Sequence, residues 1–236
     1  MSIVVQLERG VVRIPDWVRD FASFRRWATS DDYPTRGWFA HLDGELWVDA
    51  TLERAGHNLL KGEITTVLYA LVEKRDGDHF LGGSRMVLTN VEAGLCLEPD
   101  GMFFSHAALS EGRVCLAKGA DSVEVEGGPD MLLEVVSETS MERDTTVLRD
   151  VYFRAGVREY WLASPCREAF WLKILRRGRN GFLESHSERG WLKSDVFGKF
   201  FRLGREDGRD DLPDYTLEVR EPRSSDRLSR GSRRCR

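Results

Sequence analysis

The segment Gly128-Pro-Asp-Met-Leu-Leu-Glu-Val-Val-Ser137, followed by residues 143–156 and then Val157-Arg-Glu-Tyr-Trp-Leu-Ala163, decides how this chain is read. It predicts strand, helix, strand. The apolar run 131–136 is too short for a typical helix, and it lies between Gly-Gly-Pro and Ser-Glu-Thr-Ser, which are turn and cap signals. Apolar residues fall on both of its faces, as in a strand covered from both sides. Glu134 stands in the middle of that run. A carboxylate there carries a desolvation cost unless it is paired or coordinates something. A divalent cation would satisfy it.

Outward from this unit, Ser140 or its neighbour Thr139 suits the N-cap of a helix through Val147, Leu148, Val151 and Tyr152 to a C-terminal Gly156. Upstream, residues 57–74 form an amphipathic pattern in which Leu60, Ile64, Val67, Leu68 and Leu71 recur at three and four, with Lys61 and Glu63 off the stripe. Asp43-Gly44 between two apolar runs, 37–42 and 45–49, is a hairpin signal. Residues 15–27 suit a helix, 82–88 and 93–106 suit strands, and 107–125 reads as a loop or lid. Residues 170–175, 181–187 and 191–203 read as a meander with Gly-containing turns. The expected fold class is α/β with an α+β mixed sheet, helices packed on that sheet and a C-terminal β-meander. The expected divisions are an N-terminal helical extension (1–36), a main domain (37–217) and a disordered Arg-rich tail (218–236).

The 236 residues carry a net charge of −4 that hides an asymmetry, because the tail from Glu218 holds seven Arg against three acids. The acidic body excludes a basic nucleic-acid-binding domain of the usual kind, while the tail suits electrostatic contact with phosphates or a solvated end. No apolar run approaches the ~18 residues that a membrane span needs, and the N-terminus lacks the pattern of a signal peptide. Cys96, Cys115, Cys166 and Cys235 have no metal-type spacing, which favours a reduced, cytoplasmic setting.

Two acids in apolar surroundings carry the chemistry. In Leu97-Glu-Pro-Asp-Gly-Met-Phe-Phe104, alternation puts Glu98 and Asp100 on one side. Asp100 and Glu134, from neighbouring strands, would suit Mg²⁺, which takes one or two carboxylates plus waters and phosphate oxygens. The bland alternative is a buried acid paired with an Arg. Asp130 reads as a turn or cap residue, Glu45 as exposed beyond a tight turn, and His57 as a cap or packing residue more than a ligand. Tyr160 and Trp161 read as core aromatics. There is no Gly-rich phosphate loop and no nucleophile elbow.

Pro99-Asp100, Pro129 to Ser137, Arg143-Asp144, Tyr152, Ala155-Gly-Val157 and Glu159-Tyr-Trp-Leu162 resemble the Uma-two family of putative endonucleases, within the PD-(D/E)XK nuclease superfamily. Asp43-Gly-Glu45 and His57-Asn58 resemble its N-terminal signature, and the likeness spans roughly residues 37–205. The resemblance implies a restriction-endonuclease-like core and Mg²⁺- or Mn²⁺-dependent cleavage of nucleic acid, DNA first among substrates. It implies Asp100 and Glu134 as metal ligands and catalytic acids, with Glu63 as an additional helical acid. The superfamily lysine is missing: Val136 stands two residues after the second acid, and Leu148 stands four before the tyrosine. Arg149 is the substitute nearest in sequence, but an arginine is essentially never deprotonated and cannot act as a base. A non-catalytic nuclease-fold module that binds nucleic acid or protein is therefore the alternative expectation. A homodimer would suit cleavage of both strands of a duplex.

Overall fold

The computed structural model describes residues 3–7, 10–83 and 85–223. At its centre is a six-stranded sheet in the order Phe182–Glu184, Trp171–Arg177, Glu159–Ser164, Met131–Val135, Gly101–Phe104 and His79–Gly82. Met131–Val135 and Glu159–Ser164 run parallel, and the other neighbours are antiparallel. The parallel pair is joined by the expected crossover, a π-helical turn Arg143–Val147 continuing into the helix Leu148–Arg154. This is the strand–helix–strand unit of the opening segment.

Alternation along Met131–Val135 sends its side chains to two different cores. Met131, Leu133 and Val135 pack with Leu60, Ile64, Leu68 and Val72 of the long helix Ala55–Val72, and with Phe201 and Leu217 of a four-stranded sheet beyond. Leu132 and Val136 point the other way, onto Leu148 and Tyr152 and onto Leu88, Leu95 and Val125 of a second six-stranded sheet. With both faces covered, the strand is apolar throughout except at Glu134.

The Asp-Gly hairpin forms between Trp38–Leu42 and Glu45–Asp49, with Asp43 at φ 51° and Gly44 at φ 88°. Positive φ at both central residues is the primed turn that the sequence signal demands. Behind it, Phe24 and Trp27 of the helix Phe21–Ala28 pack on Phe39, Val87 and Cys96. That helix starts later than expected because Asp20 caps it, accepting from Ser23 N–H at 2.8 Å.

Other expectations are corrected. The single strand expected over 93–106 is two: Leu95–Leu97 lies in the second sheet and Gly101–Phe104 in the central one. Pro99 falls between them, and without an N–H it cannot extend a ladder. Residues 82–88 divide likewise, between His79–Gly82 and Val87–Asn90. The region 107–125 is ordered by the helix His106–Ser110 and the strands Val114–Cys115 and Glu124–Gly127. The meander is divided as well, since Ser187–Glu188, Trp191–Ser194, Lys199–Asp207 and Pro213–Arg220 form the four-stranded sheet, whereas Trp171–Arg177 and Phe182–Glu184 belong to the central one. Residues 218–220 complete a strand and so are not tail, and the tail expectation for 224–236 lies outside the described residues. Among the described residues Cys96, Cys115 and Cys166 are free, and no helix is long and apolar enough to cross a membrane.

Candidate metal centre

Leu133 pairs with Gly101 across the two antiparallel strands. The ladder ends there: Asp100 immediately precedes the strand Gly101–Phe104, and Glu134 immediately follows Leu133 on its neighbour. Both acids line the floor of a cleft of about 990 Å³, walled by the start of the long helix, by residues 49–54 and by 135–143.

Asp100 is held as an anion. Its Oδ2 accepts the Val135 N–H at 2.8 Å, and its Oδ1 accepts from Lys61 Nζ at 3.1 Å. Burial would raise its pKa, but the His57 imidazole, the Lys61 ammonium and the Val135 amide outweigh it and hold the carboxyl below its ordinary range. Glu134 goes the other way. Burial first, then the charges of Asp100 and Asp144, push it well above the usual carboxylate value, although the Tyr152 hydroxyl donates to Oε1 at 2.6 Å. Two carboxylates so close and so dry cannot both ionise cheaply, and a cation between them would remove the conflict.

The helix Ala55–Val72 adds His57. Its Nε2 is buried without a hydrogen-bond partner, 3.8 Å from both Asp100 Oδ2 and Glu53 Oε2. One ligand atom from each of Glu53, His57 and Asp100 lies within 4.8 Å of the others. An orphaned imidazole nitrogen facing two carboxylates is a donor set that fits a divalent ion. The His donor suits transition metals better than Mg²⁺.

Asp144 lies beneath. Arg143 Nε donates to its Oδ1 at 2.7 Å, Arg143 Nη1 reaches Asp49 Oδ2 at 3.1 Å, and the guanidinium carbon sits 4.0 Å from the Trp38 ring centroid. Asp144 Oδ2 is buried with no hydrogen-bond partner. Burial raises the Asp144 pKa, against the pull of Arg143. The π-helical turn that carries this pair is a local widening of the kind often found at functional sites.

The remaining sequence candidates lie elsewhere. Glu63 accepts the Leu217 N–H at 2.8 Å, tying the long helix to the four-stranded sheet, and is not among the cleft residues. Arg149 Nη2 donates to the Phe182 carbonyl at 2.7 Å, so its charge serves a sheet edge. Asp130 accepts from Ser105 N–H at 2.8 Å and Oγ at 2.7 Å and pairs with Arg113 and Arg158, a structural knot. Glu45 is exposed. In sequence alone, Glu53, Lys61 and Asp144 carry no site role and His57 reads as a cap or packing residue more than a ligand, whereas all but Asp144 line the cleft. The spacing of His57 and Lys61, four apart on the long helix, was the available signal, since such residues share a helix face; Glu53 lies before the helix and gave none.

A mixed sheet with a crossover helix, and with Asp100 and Glu134 lining one cleft, is consistent with a restriction-endonuclease-like fold. The family model of Uma2, described as "Putative restriction endonuclease", matches residues 21–197. The chain belongs to that family. Among solved structures, it is similar to a nuclease from Anabaena variabilis described as putative and assigned to DUF820. The TM-score is 0.51 and the identity 13%, over 67% of this chain and 82% of the other. That likeness supports the fold alone. No curated protein matches the chain.

Proposed function

We propose that this protein is a metal-dependent endonuclease that hydrolyses phosphodiester bonds of DNA. One observation supports this reading above the rest: Asp100, just before the strand Gly101–Phe104, and Glu134, on the neighbouring strand, line one cleft in a chain of the Uma2 family. Asp100, His57 and Glu53, whose ligand atoms lie close together, would hold Mg²⁺ or Mn²⁺, with Glu134 in the same cleft as the second acid. A divalent ion there would polarise a phosphodiester oxygen and acidify water. The chain's own groups do the positioning. The Val135 amide fixes Asp100, and Tyr152 fixes one oxygen of Glu134. Arg143 offsets the buried Asp144 behind them. Exposed Arg36 and Arg54 at the cleft mouth supply positive charge toward a phosphate backbone.

Incubation of the purified protein with plasmid DNA and Mn²⁺ or Mg²⁺ tests the proposal. Nicking or cleavage is expected, abolished by EDTA and in Asp100→Asn and Glu134→Gln. Absence of cleavage, or cleavage untouched by both substitutions, removes it.

A second reading is a nuclease fold that binds without cutting. In its favour, Val136 and Leu148, where the resemblance calls for lysine, are 1% and 0% exposed in apolar core, and Arg149 is engaged at the sheet edge. Calorimetry separates the two: DNA binding retained with no Mn²⁺ uptake would select this alternative.

A further inference from the structure

The charge that Val136, Leu148 and Arg149 fail to bring to the cleft arrives from another element. Lys61 projects from the long helix, one turn after His57, so the two share a helix face. Its Nζ donates to Asp100 Oδ1 at 3.1 Å and to both oxygens of Glu53, at 2.9 and 2.8 Å. The side chain is 16% exposed and lines the cleft. Arg143, another cation that lines the cleft, is occupied by Asp144, Asp49 and the Trp38 ring. Lys61 is held less firmly. One of its partners, Glu53, is 48% exposed, and an exposed ion pair is weak and screened.

We propose that Lys61 has two stations. Without a divalent cation its ammonium holds the Asp100 and Glu53 carboxylates; with the cation present it turns to the scissile phosphate and supplies the positive charge that the strand and crossover helix lack. The proposal rests on the metal-dependent reading above. The physical logic is a competition for the same oxygens. An ammonium bound to Asp100 Oδ1 and Glu53 occupies the carboxylates that His57 Nε2 faces. Once a divalent charge neutralises those carboxylates, like-charge repulsion disfavours the ammonium there. A phosphate in the cleft is then its nearest anion, within reach of the flexible four-carbon stem. Lysine also suits this role better than arginine, whose planar fork would clasp a carboxylate in bidentate fashion.

The test measures Mn²⁺ binding by calorimetry and plasmid cleavage at saturating Mn²⁺ in the wild type, Lys61→Met and Lys61→Arg. Removing the competitor should tighten Mn²⁺ binding in Lys61→Met by about 10-fold, because more of the site is then free to bind. The same variant should cleave roughly 10²- to 10³-fold more slowly at saturation, the usual loss when one charge-stabilising donor is deleted. Lys61→Arg should restore part of the cleavage, since it keeps the charge. A purely structural lysine would leave Mn²⁺ affinity unchanged or weakened on removal, and either result overturns the proposal. So does tighter binding with unchanged cleavage, which leaves the nuclease reading standing. A wild-type chain that takes up no Mn²⁺ overturns both.

Discussion

Asp100, at the head of the strand Gly101–Phe104, and Glu134, on the strand beside it, line one cleft, yet their surroundings push their pKa values in opposite directions. Asp100 is kept ionised by an amide, an ammonium and a nearby imidazole, whereas Glu134 is driven toward its neutral form by burial and by Asp100 itself. This asymmetry sets the first expected outcome.

Because the folded pKa of Glu134 lies above its ordinary value, the native state keeps a proton that the unfolded chain releases. Stability from that proton is therefore lost as pH rises from the ordinary glutamate range through the raised folded value. Glu134→Gln, which mimics the neutral form, should be more stable than wild type at pH 8, by on the order of 1–2 kcal/mol. The gain should shrink toward pH 4 and stay constant below it. Asp100 has the opposite sign: its contribution is present above the ordinary aspartate range and fades as pH falls through its lowered value. Urea denaturation across pH 4–8 measures the Glu134 effect and its extension below pH 4 the Asp100 effect, and a Glu134→Gln protein no more stable than wild type at pH 8 would contradict the assignment.

Arg143→Ala should be strongly destabilising. It leaves Asp144, which is 1% exposed, without its cation, and breaking a buried pair on one side costs about 3–5 kcal/mol. Arg143→Met combined with Asp144→Asn should recover much of that loss, because no uncompensated charge then remains. If denaturation midpoints show the double variant to be no better than the single, the ion pair is not what holds this turn.

Tyr152→Phe removes the only hydrogen bond shown to Glu134 Oε1 among the described residues. It should cost roughly 1–3 kcal/mol for the buried acceptor left unsatisfied. It should also raise the Glu134 pKa further, since that hydrogen bond is one of the influences lowering it. Infrared spectroscopy of the carboxyl band across a pH series reads the second effect directly. A band that titrates at lower pH than in wild type would argue against it.

His57→Ala should weaken Mn²⁺ binding at least about tenfold, because second-shell changes alone reach that figure and His57 is proposed here as a direct ligand. The metal-free protein also loses the imidazole's help in keeping Asp100 ionised, so Mn²⁺ binding is compared at a temperature where thermal melting shows both proteins folded. Unchanged Mn²⁺ affinity would place the ion away from the helix.

Gly127→Ala should prevent normal folding. Gly127 has φ +119°, and an added Cβ would collide with the Arg113 carbonyl oxygen, a backbone atom that cannot turn aside. Loss of soluble protein, or a destabilisation above about 3 kcal/mol, is the expected reading.

The strand–helix–strand unit was legible because three signals agreed: a short apolar run, flanking turn residues, and a capped periodic segment ending at Gly156. The hairpin was legible for a similar reason, since Asp43-Gly44 leaves the backbone few other conformations. Even spacing put Glu98 and Asp100 on one side, and both line the cleft. What stayed hidden was the sheet to which each strand belongs. Residues 93–106 look like one extended stretch, and only the tertiary structure shows that Pro99 marks a change of sheet. The contributors at the start of the long helix stayed hidden for a different reason. His57 and Lys61 are polar residues off an apolar stripe, a pattern shared with any solvated face, and Glu53 lies in the loop just before it. Their convergence on Asp100 depends on how the long helix is docked, and Leu60, Ile64 and Leu68 do the docking. Glu63, equally polar, was turned by the same docking toward Leu217.

The change of sheet at Pro99 has a mechanical consequence. Residues 98–100 are a three-residue stitch between two layers, with Glu98 anchored on the outer side by Arg85 and Asp100 pinned on the inner side by the Val135 amide. A stitch that short has almost no slack. Any sliding of the outer layer against the inner one pulls directly on the acid at the cleft floor, so that a load on a distant surface of the protein is felt at Asp100.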